Sequence, residues 1–144
     1  MVYRIALLRT CSAADAEDVV QEVFLRYLRS APAFAGEEHR KAWFIRVTVN
    51  RTKSLLGSAW KRRTVLTDES LPLPQPLSST PEGEVYQAVL SLPVKYRTAV
   101  HLYYYEGYKV SEIARLTGAK ETTVKTWLMR ARDILRQRLK EEII

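Results

Sequence analysis

A proline-rich segment near the middle of the chain limits the possible folds more than any other feature. Residues 71–81 read LPLPQPLSSTP and contain four prolines. Because proline has a fixed φ and no backbone N–H, this segment can form neither the interior of a helix nor a central strand. Such a composition is typical of an extended linker. We therefore predict two units, residues 1–63 and 83–144, joined by a flexible linker at residues 64–82.

The second unit contains two amphipathic helices that are separated by a glycine. The first ends at Gly118, and its apolar residues recur with a helical period: Val110, Ile113, Ala114 and Leu116. The second is longer and has an apolar face formed by Val124, Leu128, Ala131 and Leu135. Its opposite face is polar and basic and carries Thr122, Lys125, Thr126, Met129, Arg132 and Arg136.

A short helix, a tight turn and a longer helix with a basic outer face are typical of a helix-turn-helix. The second helix of that motif enters the major groove of duplex DNA, where each base pair displays a distinct pattern of donors and acceptors. Lys125 and Thr126 lie near the start of this helix and are best placed to reach base edges. Two ordinary packed helices of a bundle are the alternative interpretation.

Two shorter helices are predicted between the linker and this motif, at residues 84–92 and 95–105. The inward-facing residues of the second are predicted to be Val100, Leu102 and either Tyr103 or Tyr104. No strand pattern and no internal repeat are apparent in the sequence. We predict an all-α fold made of two small helical domains.

Charge is distributed unevenly along the first unit. The whole chain has a formal charge of +7 at pH 7. Residues 15–22 contain four acids and no base, whereas residues 40–63 contain eight lysines or arginines and no acid. A soluble surface does not require this segregation. The basic excess indicates a polyanionic partner, and nucleic acid fits it better than a membrane surface.

Helical periodicity predicts three helices in this first unit. One covers residues 3–10, and a second begins after Ser12, which together with Asp15 resembles a capping box. The inward stripe of the second helix is predicted to be Val20, Val23, Phe24, Tyr27 and Leu28. A loop at residues 31–38 then leads to a third helix at about residues 40–60.

The third helix carries one polar stripe at helical spacing, formed by Arg46, Asn50, Lys53 and Gly57, with Trp60 at its edge. Single-stranded nucleic acid suits such a surface, because the charges follow the backbone while the amide and aromatic faces engage unstacked bases. A solvated helix face is an equally good interpretation of this stretch taken alone.

Residues for catalysis or metal binding are scarce. A single cysteine, Cys11, excludes an intramolecular disulfide and is interpreted as a small buried hydrophobe. The two histidines, His39 and His101, are far apart in sequence, so no metal site is expected. No phosphate-binding glycine loop and no activated nucleophile are apparent. We predict a protein that is not an enzyme and needs no cofactor.

The apolar runs are too short to span a bilayer and the N-terminus is unlike a signal peptide, so we expect a cytoplasmic protein without membrane insertion.

Two blocks of sequence, in this order, resemble the extracytoplasmic-function (ECF) group of bacterial sigma factors, within the sigma-70 superfamily. The first block comprises DAEDVVQEVFL at residues 15–25, FAG at 34–36 and KAWFIRVTVN at 41–50. The second comprises LPVKYR at 92–97, YEGY at 105–108, EIA at 112–114, TVKT at 123–126 and RAR at 130–132. Together they cover nearly all of the chain outside the linker, which makes the resemblance specific.

The resemblance implies three sets of functional residues. Docking on the β′ clamp helices of core RNA polymerase is implied for Asp15, Asp18, Gln21, Glu22 and Leu25. Capture of a flipped base and of the non-template strand at the minus-10 element is implied for Phe34, Gly36, Arg46, Asn50, Lys53, Trp60, Lys61, Arg62 and Arg63. Reading of the minus-35 duplex is implied for Lys120, Thr122, Thr123, Lys125, Thr126, Met129 and Arg130. The family further implies that the linker threads through the polymerase, that the β flap is contacted, and that an anti-sigma factor is a further partner.

The chain departs from the family pattern in three places. It begins where family members are already inside their first domain, so that domain is expected to be shorter. Lys109 and Lys120 stand where the family often has a serine N-cap, which costs about 0.5–2 kcal/mol each unless phosphate contacts compensate. Trp127 stands where the family often has arginine, and we expect it to pack against the supporting helices.

Two other functions remain open from the sequence. The chain could be a helix-turn-helix regulator that binds duplex DNA without joining the polymerase, or a helical adaptor that works only through protein contacts. The succession of acidic and basic helices before the linker favours the sigma factor over the first alternative. The basic outer face of the last helix argues against the second.

Overall fold

The computed structural model describes residues 1–63 and 81–143, and describes side chains for residues 1–57 and 83–139. Within these residues every regular element is a helix, which confirms the predicted all-α fold. The predicted linker at residues 64–82 lies outside the described residues except for its last two, which are helical.

The chain divides into two compact units, residues 1–74 and 75–144. In the first unit, the described residues form three helices that pack on one another: α1 (Val2–Thr10), α2 (Ala13–Ser30) and α3 (Glu37–Arg63). Their shared core contains Val2, Ala6, Ala16, Val19, Val23, Phe44 and Val47.

The boundaries of these helices follow from local chemistry. Ser12 is the N-cap of α2, as predicted, and its hydroxyl oxygen accepts a hydrogen bond from the Asp15 N–H at 3.2 Å. Cys11 ends α1 in the left-handed conformation and is buried, which confirms its interpretation as a small core residue. The third helix begins at Glu37, earlier than predicted, and the acids Glu37 and Glu38 in its first turn suit the helix dipole.

The predicted inward stripe of α2 is partly wrong. The buried positions are Ala16, Val19 and Val23. Phe24 is 45% exposed and Leu28 is 72% exposed, although both were expected to face inward. The buried face of α2 is centred nearer to Ala16 and Val19 than predicted, because these smaller side chains allow close packing against α1 and α3. Close packing therefore decides which face is buried, even where larger apolar residues lie elsewhere on the helix.

In the second unit, the described helices are α4 (Pro81–Leu90), α5 (Val94–Val100), α6 (Val110–Thr117) and α7 (Glu121–Ile143). Between α5 and α6, residues His101–Tyr105 continue the helix as a π turn. The predicted helices at residues 84–92 and 95–105 therefore exist, but α4 begins at Pro81, since proline suits the first turn of a helix.

The core of the second unit joins all of its described helices. Its buried apolar residues include Leu92, Leu102, Ile113, Leu116, Val124, Leu128 and Ala131. Val100 and Leu102 face inward as predicted, whereas Tyr103 is half-buried and Tyr104 is exposed. The turn between α6 and α7 passes through Gly118 at φ 74°, a left-handed conformation that glycine adopts without strain. Helices α6 and α7 thus form the predicted helix-turn-helix.

No helix among the described residues combines the length and apolar character needed to cross a membrane.

Candidate nucleic-acid interface

The polar stripe of α3 is continuous and exposed. Arg46, Asn50, Lys53 and Gly57 are all exposed, and their spacing places them within an arc of about 60° around the helix. Helix α3 continues to Arg63, but the side chains of Trp60, Lys61, Arg62 and Arg63 lie outside the described residues. The structure therefore places three of the predicted minus-10 residues, Arg46, Asn50 and Lys53, on one surface.

A buried arginine lies behind this stripe, and sequence reasoning did not identify it. Arg9 on α1 is only 5% exposed, and its Nε–H donates a hydrogen bond to the Thr52 hydroxyl at 2.6 Å. Thr52 is adjacent to Lys53 in α3. Desolvation lowers the pKa of Lys53, and repulsion by Arg9 lowers it further. Arg9 thus adds positive potential to the surface from within the core. The only signal in the sequence was a charge interrupting an apolar helix.

Phe34 lies in the loop between α2 and α3 and is packed rather than free. Its ring stacks on Tyr27 with the centroids 6.2 Å apart, and it meets Trp43 edge-on at 5.9 Å. The Ala35 N–H, next in the chain, donates to Nδ1 of His39 at 3.1 Å. The loop therefore has a defined shape, held by the aromatic side chains of α2 and α3.

Two glycines of this surface are not required by the fold. A Cβ built at Gly36 or at Gly57 would meet nothing within 4 Å, and neither residue has a positive φ. Gly57 lies inside α3, where glycine costs about 0.5–1 kcal/mol relative to alanine. Both positions leave the backbone open to close approach by another molecule.

The predicted polymerase-binding residues share one face of α2. Their spacing places Asp15, Asp18, Gln21, Glu22 and Leu25 within an arc of about 120°, whose centre lies about 130° from that of the buried residues of the helix. Asp15 is half-buried and the other four are exposed. Leu25 is 48% exposed, so the face combines acidic and apolar character.

One of these acids is paired within the unit. Both carboxylate oxygens of Glu22 accept hydrogen bonds from Arg51 of α3: Oε2 from Nε, and Oε1 from a terminal nitrogen at 3.0 Å. This hydrogen bond lowers the pKa of Glu22 and raises that of Arg51, and Asp18 raises the latter further. The acidic and basic segments of the sequence therefore meet in the fold, and the negative charge of the face is partly neutralised.

The predicted minus-35 residues gather at the start and along the outer face of α7. Lys120, Thr122, Lys125, Met129 and Arg130 are exposed. Thr123 and Thr126 are half-buried, and the Thr126 hydroxyl donates to the carbonyl oxygen of Thr122 at 3.0 Å. Trp127 is also half-buried, and Arg130 lies 3.4 Å from the hydroxyl of Tyr96.

The two helices of the motif begin without a side-chain acceptor at the N-cap. At α6, the Glu112 carboxylate accepts from the Lys109 N–H at 3.1 Å, but an ammonium group cannot accept a bond in return, so only half of a capping box is made. At α7, exposed Lys120 precedes the first helical residue. Both lysines place positive charge at helix starts, where the dipole disfavours it.

No group of His, Cys, Asp or Glu in the described part of the chain is arranged to hold a metal ion.

Comparison with known proteins identifies the family. The family model for sigma-70 region 2 matches residues 1–62, and the model for sigma-70 region 4 matches residues 82–135. The sigma factor SigV of Bacillus subtilis is 33% identical over 97% of this chain and 85% of its own length. The chain belongs to the sigma-70 family of RNA polymerase sigma factors. Two further relatives, both named as ECF sigma factors, assign this sigma factor to the ECF group. They are the ECF sigma-E factor of Haemophilus influenzae, 30% identical over 92% of this chain and 79% of its own length, and the ECF sigma factor SigL of Mycobacterium tuberculosis, 34% identical over 98% and 84%.

A solved structure shows that the fold is shared. The sigma factor RpoE of Bartonella quintana, crystallised with the anti-sigma factor NepR, matches 96% of this chain and 89% of its own with a TM-score of 0.76 at 21% identity. In the present sigma factor, the region 2 match spans α1–α3, and the region 4 match extends from α4 into α7.

Proposed function

We propose that this sigma factor binds core RNA polymerase in the bacterial cytoplasm, directs it to promoters and helps to open them, as a subunit without catalytic activity of its own. The observation that carries the proposal is the presence of two basic surfaces with different shapes. One is a stripe on α3 beside a packed aromatic loop, and the other is a helix-turn-helix. A protein that bound only duplex DNA would need the second surface alone.

The mixed face of α2 is proposed to dock on the clamp helices of the β′ subunit. Leu25 is exposed one turn after Glu22, and exposed Leu28 and Arg29 follow one turn further along the helix. An exposed apolar patch rimmed by charge is typical of a protein-binding surface.

Substitution of Asp18 by lysine tests this assignment, because Asp18 lies at the centre of the face. Glu17→Lys is a matched control, since Glu17 is also an exposed acid of α2 but points about 100° away. We expect Asp18→Lys to weaken binding of core polymerase and Glu17→Lys to leave it nearly unchanged. Equal effects of the two reversals would show that only the overall charge matters.

The α3 surface is proposed to bind the minus-10 element as a single strand. Arg46 and Lys53, with the predicted Lys61, Arg62 and Arg63, would follow the strand backbone. Asn50 and the Phe34–Gly36 loop would receive a flipped base, with Trp60 as a further aromatic contact. This proposal is supported by the narrow exposed stripe, the ordered aromatic loop and the two glycines that leave the backbone accessible.

The α7 surface is proposed to read the minus-35 element as a duplex. The N-terminal residues of a recognition helix contact base edges, which favours Thr122, Lys125 and Thr126 as readers. Lys120 at the helix start and Thr123, Met129 and Arg130 complete the proposed surface. Phosphate contacts there would offset the cost of lysines at the helix starts, because a phosphate supplies the negative charge that the dipole favours.

Residues 64–82 are proposed to act as the linker between domains 1–63 and 83–144 and to thread towards the RNA exit path. The β flap is proposed as a second polymerase contact. An anti-sigma factor is proposed as a further partner, in keeping with the complex described for the Bartonella quintana protein.

Transcription of fragmented bacterial genomic DNA by core polymerase, with and without this protein, tests the function directly. Sequencing of RNA 5′ ends is expected to reveal start sites that appear only when the protein is present, preceded by shared minus-35 and minus-10 sequences. On such a promoter, Asn50→Ala should reduce permanganate reactivity of minus-10 thymines while Lys125→Ala reduces duplex binding. An absence of new start sites, with core polymerase bound, would reject the proposal.

A further inference from the structure

Arg132, on the outer face of α7, is held by two tyrosines of the π turn. Its Nε–H donates a hydrogen bond to the Tyr104 hydroxyl at 2.6 Å. The guanidinium carbon lies 5.6 Å from the ring centroid of Tyr104 and 5.8 Å from that of Tyr103, and these rings meet edge-on at 4.9 Å. An exposed arginine ordinarily samples many rotamers. One hydrogen bond and two cation–π contacts restrict this side chain instead.

The position of Arg132 relates it to the proposed minus-35 surface. It follows Lys125 by seven residues, so it lies on the same face of α7 about 10.5 Å further along the axis. In a helix-turn-helix, residues at the start of the second helix contact bases, whereas contacts further from that start reach the DNA backbone. Arg132 therefore lies on the part of α7 where contacts with the DNA backbone, rather than with base edges, are expected.

The guanidinium keeps most of its binding capacity. It has five N–H donors in a planar fork, and Tyr104 uses only the one on Nε. Within the described part of the chain no carboxylate pairs with Arg132, so its charge is not neutralised. A planar fork with unused donors matches the oxygens of a phosphate, which it can bind with two parallel hydrogen bonds.

We propose that Tyr103 and Tyr104 are positioning residues that hold Arg132 ready to bind a phosphate of duplex DNA. This inference deepens the proposed minus-35 function and rests on it. A side chain that is already ordered loses less entropy when it binds, so the tyrosines raise affinity without touching the DNA themselves. Arg132 also becomes a contact residue of that surface, outside the set implied by the family resemblance.

Binding of the full-length protein to a short, mixed-sequence, fluorescein-labelled duplex tests the proposal by anisotropy between about 50 and 200 mM salt. Phosphate contacts do not depend on sequence, so no promoter is required. We expect Tyr104→Phe to weaken duplex binding about two- to tenfold, because the freed Arg132 side chain must then be ordered on binding. The slope of log affinity against log salt concentration should stay unchanged, because the phosphate contact itself is kept. Arg132→Ala should reduce the slope by about 1. Adding Tyr104→Phe to Arg132→Ala should change nothing further.

Tyr96→Phe is a matched control, because the Tyr96 hydroxyl contacts Arg130 at the longer distance of 3.4 Å, and we expect a smaller effect. Nitrogen-15 NMR of the DNA-free protein provides a readout that is independent of binding. The Arg132 Nε–H should be protected from exchange in the wild type and unprotected in Tyr104→Phe, with unchanged thermal unfolding.

Three outcomes would overturn the inference while leaving the proposed function intact. The first is wild-type duplex affinity in Tyr104→Phe. The second is that Tyr104→Phe still weakens duplex binding when it is added to Arg132→Ala. The third is that Tyr104→Phe weakens binding of core polymerase but not of the duplex. The last result would assign the tyrosines and Arg132 to a protein contact. If the wild-type protein failed to bind the duplex even at the lowest salt, the proposed minus-35 function would fail together with the inference.

Discussion

Replacing Thr52 by valine should destabilise the first unit through the loss of one hydrogen bond between helices. Thr52 is completely buried, and its hydroxyl accepts the Nε–H of buried Arg9 while donating to backbone carbonyls of its own helix. Valine has nearly the same shape, so no cavity forms, but Arg9 loses its hydrogen bond to the Thr52 hydroxyl. The chain offers a matched control in Thr48→Val. Thr48 is equally buried on the same helix, and its hydroxyl donates to the Phe44 carbonyl at 2.7 Å.

The difference between the two substitutions isolates the Arg9 contact. A hydrogen bond to a charged group contributes about 1.5–3 kcal/mol. Thr48→Val loses only a bond within its helix, which is worth about 0.5–1.5 kcal/mol. We therefore expect Thr52→Val to be about 2 kcal/mol less stable than Thr48→Val. For a domain of this size, that corresponds to a Tm lower by about 8–16 °C.

Urea and thermal unfolding measure this difference in a background where Trp127 is replaced by phenylalanine, so that tryptophan fluorescence reports only the first unit. Arg9→Met combined with Thr52→Val should cost less than the sum of the two single substitutions, because each of them removes the same hydrogen bond. Equal losses in Thr48→Val and Thr52→Val would refute the reasoning, since the bond to Arg9 would then contribute nothing beyond the helix bonds.

Three further predictions concern capping, backbone access and pH. Lys109→Ser should complete the capping box with Glu112 and stabilise α6 by about 0.5–2 kcal/mol, seen as slower amide exchange at Glu112 relative to Lys109→Ala. Gly57→Ala should strengthen α3 by about 0.5–1 kcal/mol yet reduce promoter opening, and normal opening would reject the close-approach interpretation of this glycine. Glu22→Gln should cost at most about 1 kcal/mol at pH 7, because the pair with Arg51 is largely exposed. The pKa of Glu22 is lowered in the folded state, so its stabilising contribution is present above the unfolded pKa and is lost as the pH falls through the folded one. The free energies of unfolding of the wild type and Glu22→Gln, measured with urea, should therefore converge at acidic pH.

The helices and the helix-turn-helix could be predicted because their signals are local. The spacing of Ile113, Leu116, Val124 and Leu128 fixes which faces of α6 and α7 are buried, and Ser12 marks a helix start by its own chemistry. Such patterns need no knowledge of the remaining chain.

Contacts between distant helices could not be predicted in the same way. The bonds Arg9–Thr52, Glu22–Arg51 and Arg132–Tyr104 join residues 28–43 positions apart, and each depends on the rotation of two packed helices. The same rotation explains why Phe24 and Leu28 are exposed on α2 although their spacing and apolarity predicted burial. The spacing of apolar residues predicts how wide the buried face of a helix is. It predicts less reliably where the centre of that face lies, because this depends on packing against the other helices.

The π turn at His101–Tyr105 has a consequence for how the length of this chain can vary. The Glu106 N–H donates to the His101 carbonyl, five residues back, at 3.0 Å, so the turn holds one residue more than an α-helical turn. An extra residue is thus absorbed locally, and loss of Tyr103 would leave Gly107 and the motif after it in their original register. Loss of a residue within α5 would instead rotate everything that follows by about 100°. Deletion of one residue at this turn therefore preserves the register of the helix-turn-helix, although loss of Tyr103 would remove its contact with Arg132, whereas a deletion one turn earlier would displace the whole motif.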